Sequence, residues 1–215
     1  LCIAAAAAIA VGSLSVSAAG FAKTNTYTPG MFNDVPASEW YASSVSSSYE
    51  LGFMKGTADG VFSPEGNMTV AEAVTIAARV HDAYNAKGTA FSQNGANWYD
   101  EYVKYAINNG IIKADAFDDY DRPVKRYEMA VIFSKAVPDS YLEAKNNVTE
   151  IPDVPNTNAY FDRLQLLYNA GVVMGNDDFG TFMPNNNIIR AEAAAIIGRI
   201  ALPENRLQKT LVDAN

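Results

Sequence analysis

Residues 32–80 and 151–200 are two versions of one segment. Each runs Asp-Val-Pro, an aromatic residue, a helix-periodic stretch, Gly, apolar residues with a Met and a second Gly, and a polar loop. Each then ends in Phe-x-Pro and an Ala-Glu that opens a second apolar stretch. Residues 97–137 form a looser middle copy, which keeps Trp98, Gly110 and Glu128 where the others have Trp40 or Tyr160, Gly52 or Gly171, and Glu72 or Glu192. A short unit repeated along a chain cannot bury its apolar face alone, so the copies must share one core with their neighbours.

Each copy reads as helix–loop–helix. Tyr41, Val45 and Tyr49 fall at i, i+4 and i+8, one apolar stripe at helical period. Gly52 suits the C-terminal stop of that helix, and residues 56–67 are rich in the Gly, Asp and Pro of turns. Thr69-Val70-Ala71-Glu72 then forms a capping box, with Thr69 capping and Glu72 reaching back. In the other copies Lys125 and Ile189 stand at the cap, which leaves those helix starts less well capped. The second helices, 73–80, 129–137 and 193–202, are apolar on most sides and belong inside. The expected fold is all-α: three helix–loop–helix repeats in a pseudo-threefold bundle, second helices at the axis and first helices outside.

Acidic groups outnumber basic ones 24 to 16, a formal charge of −8. That excludes nucleic acid as a partner, because phosphate binding needs a basic face. It leaves room for an anionic ligand held by a few local cations. Cys2 sits in the apolar run 1–11, followed by small residues, the pattern of a secretory signal truncated at its start. Val16-Ser17-Ala18 and Gly20-Phe21-Ala22 both offer cleavage spacing; the alternative is a buried Ala-rich helix. The run is short of the ~20 residues of a membrane span, and the mature chain would have neither a span nor a cysteine. The expected division is a signal over 1–22, a linker over 23–30, repeats over 31–85, 86–145 and 146–202, and a tail over 203–215.

These segments resemble the S-layer homology domain family, through Phe-Asn-Asp-Val-Pro and Trp40, the stretch from Gly52 to Pro64, and Thr-Val-Ala-Glu in the first copy, with Asp-Val-Pro, Gly-Val-Val-Met-Gly and Ile-Arg-Ala-Glu in the last. The resemblance implies a secreted protein of the bacterial cell wall and surface layer. Its partner would be secondary cell-wall polysaccharide, often pyruvylated, bound non-covalently in grooves between copies. It also implies that ligand binding uses an Arg in a Thr-Arg-Ala-Glu motif, a conformationally free Gly, and an Asp and a Trp near the first helix. Other surface-layer subunits are a second class of partner. The alternatives are a structural surface-assembly subunit and the N-terminal anchor of a larger envelope enzyme.

Carried onto this chain, the motif selects Arg126 (beside Lys125) and Arg190. A cation in the first turn of a helix is unfavourable unless an anion sits with it. The alternative is a surface Arg paired with a local Asp. Val70 replaces the Arg in the first copy, so a groove depending on that position should bind weakly or not at all. Trp40, Trp98 and Tyr160 offer faces for a sugar ring, or core packing. Asp34 and Asp153 either cap the first helix or accept sugar hydroxyls. Gly56 and Gly175 supply positive φ or close ligand approach.

No catalytic role is expected. Glu72, Glu128 and Glu192 sit three residues after the cap, where a structural role accounts for them. The Asp118-Asp119-Asp121 and Asp177-Asp178 clusters lack EF-hand spacing and read as solvated turns. His81, the single histidine, makes no transition-metal site by itself. No nucleophile-elbow, zinc-protease or P-loop pattern occurs, and no cofactor is expected.

Overall fold

A computed structural model describes residues 20–92 and 95–208. The fold is all-α. In chain order the helices are α1 (Ala42–Glu50), α2 (Val70–Tyr84), α3 (Asp100–Asn108), α4 (Arg126–Ser134), α5 (Phe161–Asn169) and α6 (Arg190–Ala201), with 3₁₀ turns at Asp139–Tyr141 and Pro203–Asn205. Extended backbone among the described residues pairs only as isolated bridges. The leader read over 1–22 lies outside the described residues except for its last three.

The odd-numbered helices are short and amphipathic. In α1, Tyr41 and Val45 are buried and Tyr49 packs on the core, as the stripe predicted. Gly52, Gly110 and Gly171 follow α1, α3 and α5 at φ +74°, +71° and +73°. Their left-handed backbone lets the next amides turn back onto the helix: Phe53 N–H donates to Ser48 O (3.0 Å) and Val172 N–H to Leu167 O (2.9 Å). The even-numbered helices are the core. α6 is buried nearly all round, only Glu192 and Arg199 reaching the surface, and α2 likewise except for Glu72, Arg79 and its last turn, where His81, Ala83 and Tyr84 emerge. They start at residues 70, 126 and 190, three residues earlier than their apolar runs suggest, because the Glu of each first turn is polar yet helical.

Packing partners cross the copies. α1 packs against α6, α3 against α2, and α5 against α4, while α2 packs on α4. Each first helix therefore covers the second helix of another copy rather than its own. Buried Ser48 on α1 donates to the Ala194 carbonyl on α6 (3.3 Å), and Arg163 on α5 donates to both oxygens of Ser134 on α4 (3.0 and 2.8 Å).

The segments that lead into α2, α4 and α6 meet in a closed ring. Met68 N–H donates to Ile188 O (3.0 Å), Ile188 N–H to Val124 O (3.3 Å), and Val124 N–H to Met68 O (2.9 Å). All three side chains are fully buried.

The stretch 23–30, read as a linker, is docked at its start. Thr24 and Asn25 donate backbone N–H groups to the Glu50 carbonyl (2.7 and 3.0 Å), and Lys23 pairs with Glu50 at 2.7 Å. These bonds satisfy orphan carbonyl capacity at the end of α1. Phe21 packs edge-on against Phe53 (5.4 Å) and Tyr141 (6.3 Å). At the other end Arg206 is buried and donates to the carbonyls of Arg199 and Tyr141, so the described part of the tail belongs to the fold.

Candidate functional site

The first two amides of each even-numbered helix have no partner within their own helix. Here they are satisfied by the loop of another copy. Val70 and Ala71 donate to the carbonyls of Arg122 and Tyr120 (3.1 and 2.9 Å), Arg126 and Tyr127 to Asn186 and Pro184 (2.9 and 3.2 Å), and Arg190 and Ala191 to Gly66 and Pro64 (both 2.9 Å). This docking buries Arg126 and Arg190 against loops distant in sequence; Arg190 also lines a cleft, whereas the lining of the two clefts described below does not include Arg126. Arg190 donates through Nε to Phe62 O (2.9 Å), through one terminal nitrogen to Lys55 O (2.7 Å), and through the other to Glu72 Oε1 (2.6 Å). Arg126 makes a similar set at the start of α4, with Phe182 O (2.8 Å), Asn176 Oδ1 (3.4 Å) and Glu192 Oε1 (2.6 Å). Each guanidinium also lies over a ring, Phe62 at 4.9 Å and Phe182 at 5.2 Å.

The anion expected beside these helix-start cations is therefore in the protein. It is a glutamate from another helix start, and the first two amides of α4 and α6 are already taken by backbone carbonyls. Burial pulls the Arg190 guanidinium below its ordinary value and Glu72 pushes it back; it remains charged. The glutamates carry two roles at once. Glu72 closes the capping box with Thr69 (Thr69 N–H to Oε2 2.9 Å, Glu72 N–H to Thr69 Oγ1 3.2 Å). Glu128 and Glu192 accept the amides of Lys125 and Ile189 (2.8 and 3.2 Å). Lys125 and Ile189 have no acceptor to return, so their starts keep half of the box.

At the start of α2, Val70 stands where α4 and α6 carry Arg, and a guanidinium is supplied from elsewhere. Arg122, four residues before Arg126, makes a two-pronged pair with Glu128 (2.9 and 2.7 Å). Burial raises the Glu128 carboxyl, but Arg122 and the Lys125 amide outweigh it and hold the group below the usual carboxylate range. The cleft beside it, about 500 Å³, is walled by Tyr127 and Tyr160, stacked at 4.7 Å, and by Ile132 and Lys135. Lys125 itself turns to the Asn185 carbonyl (2.8 Å).

A second cleft, called the α2–α3 cleft because it lies between α2 with the 53–57 loop and the segment leading into α3, is smaller, about 200 Å³, and more polar. Arg190, Glu72, Gly56, Thr75, Arg79 and Trp98 line it. Trp98 is 43% exposed and Trp40 60%, so neither is a core residue; each touches its own neighbour Tyr edge-on, at 5.5 and 5.4 Å. Gly56 has ordinary φ; a Cβ there would stand 2.6 Å from the Val61 carbonyl. Gly175 has φ +75° and its Cβ position is filled by Gly180 backbone at 2.4 Å. Close backbone packing explains the first, and packing with left-handed backbone the second.

Asp34 and Asp153 do not cap α1 or α5, whose N-caps are Tyr41 and Tyr160 without side-chain bonds. Asp34 accepts the amides of Phe62 and Ser63 (2.8 and 2.6 Å), and Asp153 those of Phe182 and Met183 (2.8 and 2.6 Å). Ser63 and Met183 have φ of 58° and 59°, an uncommon conformation for such residues, so each carboxylate clamps a strained turn. Those turns present the Phe62 and Phe182 carbonyls to Arg190 and Arg126. Asp119 likewise accepts the amides of Asp121 and Arg122, a turn rather than a metal site. Sequence reasoning missed Arg79 and Arg199, which occupy corresponding places on α2 and α6; the signal was a basic residue seven positions after each motif Glu, Arg79 and Arg199 after Glu72 and Glu192 and Lys135 after Glu128.

Residues 32–74 and 150–194 match the family model of the S-layer homology domain. The chain is 29% identical over 175 residues to the S-layer protein sap of Bacillus anthracis, covering 78% of this chain and 21% of that protein. It is 29% identical over 157 residues to a cellulosome-anchoring protein of Acetivibrio thermocellus (68% of this chain, 35% of that one). It is 27% identical over 181 residues to cell surface glycoprotein 1 of the same organism (76% and 8%). The chain thus spans between 8% and 35% of the length of these relatives. Two segments of the chain thus match the S-layer homology domain, and the relatives it resembles are named as surface-layer, cell-surface and anchoring proteins.

Proposed function

We propose that the chain anchors a surface protein to the bacterial wall by holding secondary cell-wall polysaccharide in clefts between three copies of one repeat. The α2–α3 cleft carries the reading. It puts an exposed Trp98, a helix-start Arg190 and a close-packed Gly56 from three different stretches of sequence into one wall. An aromatic face at a cleft mouth suits the C–H face of a sugar ring, and the polar groups inside suit its hydroxyls. The ring formed by residues 68, 124 and 188, with the three matching pairs of helix-start bonds, supports reading 97–137 as a third, diverged copy around a common axis. The relative named as a cellulosome-anchoring protein supports an anchoring role. A surface-assembly subunit is the second reading, favoured by the relative named as an S-layer protein.

The test is co-sedimentation of the chain with purified cell walls before and after extraction of their secondary polymers. Binding should vanish with the polymers and weaken about tenfold in Trp98→Ala, consistent with the loss of one aromatic contact. Undiminished binding to extracted walls would refute the reading. Light scattering that shows mass rising with concentration, without wall binding, would favour the assembly subunit.

A further inference from the structure

We infer that the cleft between α4, the 111–117 loop and the start of α5 receives Phe179 and its acidic neighbours from a second copy of this chain, so that copies associate head to tail. This goes beyond the anchoring reading and does not depend on whether wall glycan is bound. The polar features of the cleft are already spent. Tyr127 stands where α2 and α6 carry Ala71 and Ala191. Its ring stacks at 4.7 Å on Tyr160, covering one face of the aromatic that corresponds to Trp40 and Trp98. Glu128 is held by both prongs of Arg122, and Arg163 is paired with Asp139 at 2.8 Å. What remains is a hollow of about 500 Å³, ample for one aromatic side chain. Its reachable wall is apolar: Phe117, Tyr127 and Val131 are half-buried, and Ala159 is exposed. Two cations flank it. Lys113 is exposed and Lys135 half-buried, and neither amine has a carboxylate partner among the described residues. Such a cleft fits an apolar group flanked by negative charge.

The matching group is on the same chain. The loop from Gly175 to Phe182 is one residue longer than its counterpart from Gly56 to Phe62. The longer loop carries Asp177-Asp178-Phe179, and Phe179 is 44% exposed. A single exposed apolar side chain is ordinary; this one is held in place. Asp177 accepts the amides of Phe179 and Thr181 (3.1 and 2.9 Å), and Asn176 N–H donates to Thr181 O (2.9 Å). A turn fixed in advance loses little freedom on docking. The ring suits the hollow, and the two carboxylates are opposite in sign to Lys113 and Lys135, a complementarity that sets orientation and partner. Residues 176–180 do not line the cleft of their own chain, so the contact joins two different surfaces on two molecules. A contact of that kind leaves a free loop at one end and a free cleft at the other, and it extends into chains or rings rather than stopping at a twofold dimer.

Sedimentation velocity of the whole chain over rising concentration tests this. The unchanged chain should form a series that passes beyond the dimer. Phe179→Ser, and separately the double variant Lys113→Glu with Lys135→Glu, should each weaken association at least tenfold. All three positions reach solvent, so both variants should melt as the unchanged chain does. Mixed together they should associate again, because one keeps the cleft and the other keeps the loop, and they should stop at a one-to-one dimer. Indiscriminate adhesion through an exposed Phe would leave the lysine variant associating as before. An unchanged chain that stays monomeric or stops at a dimer would overturn the proposal. So would undiminished association in either variant, or a mixture no heavier than its components. The measurement uses no glycan, so its failure is distinguishable from failure of the anchoring reading.

Discussion

Replacing Glu72 by Gln isolates the charge of one inter-copy pair. The Arg190 side chain is 7% exposed and that of Glu72 26%, so the pair is largely out of water. Gln can still accept the Thr69 amide, which keeps the helix cap. Arg190 would retain the Phe62 and Lys55 carbonyls but face no counter-charge. Breaking a buried pair by removing one partner costs about 3–5 kcal/mol. The retained carbonyl bonds and the partial exposure of Glu72 place this case near the lower end, about 3 kcal/mol. For a domain of this size that is a fall in Tm of roughly 6–12 °C. Urea unfolding should show the midpoint moving with an unchanged slope. Glu128→Gln is the internal comparison. Its partner Arg122 is 34% exposed and can rehydrate, so the cost should be about 1 kcal/mol, as for surface pairs. A loss under about 1 kcal/mol for Glu72→Gln, or a loss no larger than that of Glu128→Gln, would refute the claim that burial makes the cross-copy pair matter.

Gly171→Ala should destabilise by at least about 2 kcal/mol, because φ is +73° and the new Cβ would stand 2.1 Å from the Leu207 carbonyl; a melt within a degree of wild type would count against the docked tail. Phe21→Ala should cost about 1–2 kcal/mol, less than a fully buried Phe, since the ring meets Phe53, Tyr84 and Tyr141 while only half-buried. For the same reason a leader, if removed, should be cut after Ala18 rather than Ala22; N-terminal sequencing of secreted protein that begins at Lys23 would show the ring to be dispensable. Burial raises Glu128 but Arg122 and the Lys125 amide hold it below its ordinary 4.5. Its contribution is thus present above pH 4.5 and is lost as pH falls through the lower, folded value. Glu128→Gln should flatten the acid arm of the stability profile, and an unaltered arm would contradict this account.

What was legible in the sequence was local. The stripe of Tyr41, Val45 and Tyr49, the stop at Gly52 and the Thr69–Glu72 box each depend on contacts within one turn of helix, and such contacts are written in residue spacing. The family resemblance likewise singled out Arg190, and in the looser stretch 97–137 Arg126 and Trp98, as candidates without coordinates. Partnership between copies was not legible, because it joins residues up to 146 positions apart. Only tertiary structure decided that α1 covers α6 rather than α2, that Asp34 clamps a turn instead of a helix end, and that the anion beside Arg190 is Glu72. It also decided that Arg122 makes good the guanidinium missing at Val70. Spacing along a chain sets which residues share a helix face, but burial selects which faces meet. The charge left for a ligand is known only after those meetings have neutralised the rest.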